Sequence, residues 1–121
     1  MTESKSFKTL IEILLSAIAV VVLANMLPGI YVNSFLTAIV VAAVLILLNL
    51  FVKPLLIIFT LPVTIFTFGL FLLVINALII MICDALVSGF RVDGFWYALL
   101  FSVLLSILQS VLFALTKKKS E

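Results

Sequence analysis

"KPLLIIFTLP" occupies residues 53–62. One lysine and two prolines interrupt an apolar stretch that runs from about Phe35 to Val87. How these ten residues are read sets how many times the chain crosses a membrane. Pro54 disfavours helical geometry at Lys53 and so predicts the start of a new segment. Pro62 suits the first turn of a following helix, where a missing N–H costs little. The intervening "LLIIFTL" is too short to span and too apolar for a water-exposed loop. It reads as an interfacial or partly re-entrant helix.

The composition explains why a membrane enters the argument. The chain has 121 residues, 67% hydrophobic and 10% charged. Soluble domains carry about 45–50% apolar and about 25% charged residues. A soluble fold this small has too little polar surface to cover so much Leu, Ile, Val and Phe. The net charge of +2 is too weak to suggest a nucleic-acid partner. There is no histidine, and Cys83 is the one cysteine, so neither an internal disulfide nor a Cys/His metal cluster is available. With no nucleophile–base pair or metal set, the reading is of a protein without catalysis and without a cofactor.

Four apolar segments are long enough to span. They run from about Phe7 to Met26, Phe35 to Val52, Pro62 or Val63 to Val87, and Phe95 to Thr116. "LPG" (27–29) and "SGFRVDG" (88–94) separate the pairs as turns, with Trp96 and Tyr97 set for a membrane interface. Four crossings with both termini in the cytoplasm put Lys5, Lys8, Lys53, Lys117, Lys118 and Lys119 inside and Arg91 outside. That split follows the positive-inside rule. Lys53, at a helix end, is expected to extend to the lipid headgroups. Glu12 is expected to pair with Lys8 four residues earlier, and Asp84 with Arg91 across the turn.

The two turns also resemble each other. "PGIYVNSFLTA" (28–38) and "SGFRVDGFWYA" (88–98) share Gly29/Gly89, Val32/Val92, Phe35/Phe95 and Ala38/Ala98 at a constant offset of 60. The same register sets Asn33 against Asp93, Asn49 against Gln109 and Ser16 against Asn76. Each unit is then helix, external turn, helix, and the two units have the same orientation, as parallel repeats. The fold class expected is an all-α integral membrane domain over 1–121. A first helical hairpin covers 7–52, an interfacial linker 53–62 (Lys53, Pro54, Pro62) and a second hairpin 63–116. The external turns carry Gly29, Gly89, Arg91, Asp93 and Gly94.

Polar side chains at membrane depth are the remaining signal. Ser16 and Asn76 fall near mid-span, and Asn49 and Gln109 in the cytoplasmic third. Ser102, Ser106, Gln109 and Ser110 share one helix face. These positions either bond helix to helix, at roughly 0.6–2 kcal/mol each, or line a pore. Gly69 marks a possible bend or close approach in the third helix.

"LPGIYVNSFLTA", "NLFVKPLL", "TLPVTIFTFGLFLLVINAL" and "GFRVDGFWYALL" resemble the bacterial four-transmembrane proteins called phage holin family 4, or YvlD-like proteins. The resemblance covers roughly Leu27 to Leu108. Phe68 departs from it, standing where leucine is expected. The resemblance implies a small bacterial membrane protein linked to envelope stress. The small-residue helix faces, aromatic-rich surfaces and lack of a strongly charged intramembrane site point to an inner-membrane structural or regulatory protein that self-associates or binds another membrane protein. Its partners would be the bilayer, further copies of itself and another membrane protein. The family name implies the alternative, an oligomeric pore that permeabilises the membrane. A small multidrug-type transporter, suggested by four helices and Glu12, ranks third.

Overall fold

The computed structural model describes the backbone of residues 2–120 and the side chains of residues 5–116. The side chains of Glu3 and of the three C-terminal lysines lie outside the described residues. In chain order the elements are α1 (Thr2–Met26), β1 (Ile30–Val32), α2 (Phe35–Phe59), α3 (Leu61–Phe66), α4 (Phe71–Leu86), β2 (Phe90–Val92) and α5 (Phe95–Ser120). The chain is therefore mostly helical, as the absence of water from hydrocarbon requires of its backbone.

Among the described residues, three helical stretches are long and apolar enough to cross a membrane: Lys5–Met26, Phe35–Phe59 and Phe95–Thr116. The fourth apolar helix, α4, has 16 residues, a rise of about 24 Å against a hydrocarbon core of about 30 Å. α1 and α4 each pack on both α2 and α5, giving a four-helix bundle. Small side chains let the backbones approach: Ala17, Ala19, Ala38, Ala42, Ala77 and Ala98 are all buried. Val41, Ile75, Cys83 and Phe101 fill the centre with no exposure. The outward faces stay apolar, with Leu36, Leu50, Phe51 and Met26 exposed to the surroundings. That inversion is expected where the solvent is lipid.

β1 and β2 were not foreseen as strands. They form a two-stranded antiparallel ribbon that joins the two turns, with Ile30 opposite Val92, Tyr31 opposite Arg91 and Val32 opposite Phe90. The backbone bonds around it come in pairs 60 residues apart. Asn33 N–H donates to the Gly89 carbonyl at 3.0 Å, and Asp93 N–H to the Gly29 carbonyl at 2.8 Å. Ile30 N–H reaches Leu27 and Phe90 N–H reaches Val87, both at 3.3 Å. Ala38 N–H meets Ser34 at 3.0 Å and Ala98 N–H meets Gly94 at 3.1 Å. Ser34 caps the start of α2, its hydroxyl accepting from Thr37 N–H.

The joint departs from the sequence expectation in two places. α2 does not stop at Val52 but runs through Lys53 and Pro54 to Phe59. Ending the helix at Val52 would orphan four carbonyls in an apolar setting, whereas passing through Pro54 forgoes one hydrogen bond. The end falls instead at Thr60, which can satisfy the last turn. Its hydroxyl donates to the Leu56 carbonyl at 2.6 Å. Residues 53–62 are thus the last turns of α2 and the start of α3, with Pro62 in the first turn of α3.

The second difference is a break inside the third span. α3 and α4 are separated by Thr67–Leu70 rather than forming one helix from Val63 to Val87. Phe68 takes a left-handed backbone with φ 57°. Its N–H donates to the Ile65 carbonyl at 3.1 Å, and Gly69 N–H donates to Thr64 at 2.8 Å. This is the Schellman arrangement that closes a helix C-terminus. Thr64 and Thr67 hydroxyls donate back to Thr60 and Val63 carbonyls, each at 3.0 Å. Thr67 Oγ1 also accepts from Phe71 N–H at 3.2 Å, at the start of α4.

Candidate functional site

The polar residues singled out from the sequence fall in one neighbourhood. They sit in the half of the bundle away from the ribbon, because α2 and α5 leave the ribbon and α4 returns to it. Gln109 Nε2 donates to Ser16 Oγ at 2.7 Å, tying α5 to α1. Ser16 is buried. The amide–hydroxyl bond satisfies Ser16 where no water reaches.

Asn49, Asn76, Ser102, Ser106 and Gln109 line a partly open cavity of about 70 Å³ between α2, α4 and α5. Ala42, Leu45, Ile46, Ile79, Ile80 and Leu105 complete its apolar wall, and Lys53 joins the polar one. Ser102 donates within its own helix, to the Leu99 carbonyl at 2.8 Å. Ser110 shares the sequence face of Ser106 but is exposed and is absent from the lining. Toward the ribbon the bundle closes at Val41, Cys83 and Phe101, none of which has any exposure. A volume this small admits a few waters or a small group, well below the about 300 Å³ of a drug-sized pocket.

Sequence reasoning left Lys53 out of this group. Its signal was present: Lys53 follows Asn49 by four residues and so shares its helix face. Reading Pro54 as a break dissolved that face. The helix continues, so Lys53 is half-buried on the cavity wall.

The ribbon end holds Asp84, Arg91 and Asp93. Arg91 Nε lies 3.3 Å from Asp93 Oδ1, and the Arg91 guanidinium sits 5.8 Å from the Tyr31 ring centre. The expected Asp84–Arg91 pair does not form. Asp84 Oδ2 instead accepts from Val92 N–H at 3.0 Å, an outward-pointing ribbon donor with no strand beside it. Among the described residues Lys8 and Glu12 make no ion pair. Lys8 is exposed and Glu12 half-buried, and an i,i+4 pair of this kind contributes only about 0.3–0.5 kcal/mol. Gly29, Gly89 and Gly94 occupy the turns next to the strands.

An apolar bundle of three full-length helices and one shorter helix, polar inside at one end, defines a small multi-helix membrane protein. A family model described as "Mycobacterial 4 TMS phage holin, superfamily IV" matches residues 7–111, and the chain belongs to that family. It is 43% identical over 101 residues to "Uncharacterized membrane protein YvlD" of Bacillus subtilis (strain 168), covering 83% of this chain and 85% of that one. It is 47% identical over 76 residues to "Uncharacterized protein SCO3922" of Streptomyces coelicolor, covering 60% of this chain and 61% of the relative. No solved structure matches the chain.

Proposed function

We propose that the protein is a non-catalytic, self-associating structural or envelope-stress-related component of the bacterial cytoplasmic membrane. The observation that carries this reading is the close-packed interior. The cavity lining does not include Val41, Cys83 and Phe101 on its ribbon side, each without exposure, which supports a bundle packed closed at that level. The apolar outer faces support contact with lipid, with further copies and with another membrane protein.

In this reading the chain crosses four times as two parallel hairpins, with both termini and the joint in the cytoplasm. The paired hydrogen bonds of the ribbon support the repeat. Burial supports it too: Ala17/Ala77, Val20/Ile80, Ala38/Ala98, Val41/Phe101 and Leu45/Leu105 are buried in both halves. The lysine bias supports the orientation.

A second reading, a holin-like pore built from several copies, is favoured by the family's description and by the polar face of α5. Controlled expression with a membrane-potential dye separates the two. The structural reading expects steady potential at high expression, with homo-oligomers captured by crosslinking in native membranes. Abrupt depolarisation at a threshold would overturn it in favour of the pore.

A further inference from the structure

The cavity has a chemical imbalance that neither reading uses. Its polar wall carries one cation and, among the described residues, no carboxylate, while its amides and hydroxyls can both donate and accept. Lys53 supplies a positive charge, and among the described residues no acidic group lies within ion-pair distance of it. The side chains of Asn49, Asn76 and Ser106 face the same space. Among the described residues none of them appears in a hydrogen bond. Gln109 spends one amide hydrogen on Ser16 and keeps a second. Lys53 and Asn76 are half-buried and Asn49 and Ser106 exposed, so an anion entering the hollow would meet one cation without an opposite charge beside it and neutral groups able to donate.

We propose that this cavity binds a phosphate-type oxyanion, either the headgroup phosphate of an anionic lipid or a free phosphate ion. Lys53 provides the counter-charge, and Asn49, Asn76, Ser106 and Gln109 provide neutral donors to the oxygens. The volume of about 70 Å³ fits a compact group whose remainder stays outside the mouth. The position fits as well. Lys53 lies one to two turns from the end of α2, from where a lysine stem can extend its ammonium toward headgroups. Basic pockets between membrane helices take lipid phosphates in this way. The inference stands whether the oligomer is structural or permeabilising.

The test uses the purified full-length chain in nanodiscs. Lipid retained on the protein is read by native mass spectrometry with phosphatidylglycerol or phosphatidylcholine, and inorganic phosphate is titrated separately against thermal unfolding. Phosphatidylglycerol is expected to be retained over phosphatidylcholine, and Lys53→Met to weaken that retention about tenfold, the loss of one charge-assisted contact. Lys53→Arg should keep it, and Asn49→Ala should weaken it less. Stabilisation by inorganic phosphate that disappears in Lys53→Met assigns the site to the free ion instead. Removing a charge from this wall should not impair folding, and the unfolding temperature of each variant checks that. Lys8→Met reports general surface attraction. An equal loss in Lys8→Met, or no loss in Lys53→Met by either readout, overturns the proposal.

Discussion

The two ends of the bundle are built on different terms. At the ribbon end, hydrogen bonds, strand register and burial recur 60 residues apart, and the backbone has little freedom left. At the other end the chain passes once through α3 and the Thr67–Leu70 turn. At the offset of 60 the turn falls on residues 7–10, which are continuous helix in α1. The ribbon end is closed by backbone bonds and close approach. The joint end is held by three threonine hydroxyls bonding back to carbonyls and leaves Phe59, Phe66 and Phe68 at least four-fifths exposed. The bundle is thus tight where the two turns pair through the ribbon and looser at the joint.

Glycine gives the largest test of that contrast. A Cβ on Gly29 would fall on the ring of Tyr97, which lies directly against it. A Cβ on Gly69 would meet nothing within 4 Å, although φ there is +87°. Gly29→Ala is expected to cost about 3 kcal/mol, the upper end of the overpacking range. Gly69→Ala should cost about 1–2 kcal/mol, from the left-handed backbone alone. Unfolding in mild detergent, followed by Trp96 fluorescence, measures both. Trimming the ring, as in Gly29→Ala with Tyr97→Ala, should recover part of the loss as a coupling between the two sites. Equal costs at Gly29 and Gly69 would break the comparison.

The next effect isolates a single hydrogen bond at the ribbon. Asp84 carries the Val92 N–H that the two-stranded ribbon leaves pointing outward. Asp84→Ala strands that donor, at about 1–2 kcal/mol. Asp84→Asn keeps an acceptor and should lose less. Amide hydrogen exchange at Val92 gives the direct readout: it should speed up in Asp84→Ala and stay slow in Asp84→Asn. An Asp84 paired with Arg91 would predict the reverse emphasis, with Arg91→Ala as damaging as Asp84→Ala.

Much of the ribbon end was legible because its signals are foreign to apolar sequence. "PGIYVNSF" and "GFRVDGF" stand out between leucines, and their common register survives in the hydrogen bonds. The strands were missed for a plain reason: three residues carry no readable alternation. The clue lay in the repeat itself, since two like segments facing across a two-fold can pair antiparallel. The polar set was legible because Ser16, Asn49, Asn76, Ser102, Ser106 and Gln109 are costly at membrane depth unless gathered. The joint was misread because proline rules learned in water overstate Pro54. In hydrocarbon one lost bond is cheaper than a helix end, so α2 continued and carried Lys53 onto the cavity wall.

The smallest effect has the opposite sign and belongs to the joint. Phe68 stands at the left-handed position of the Schellman turn, which glycine usually fills. Its side chain is 97% exposed, so packing within the bundle does not offset the strain. Replacing it with glycine removes a steric cost of about 1–2 kcal/mol but adds freedom to the unfolded chain. The net expectation for Phe68→Gly is a gain of at most about 1 kcal/mol in detergent. In bilayers the gain should shrink, because the exposed ring contributes contact with lipid that detergent supplies less well. A loss in detergent would mean that the ring is held by another copy of the chain rather than by lipid. The same variant would then disperse the crosslinked oligomer, which ties the strain at the joint to assembly.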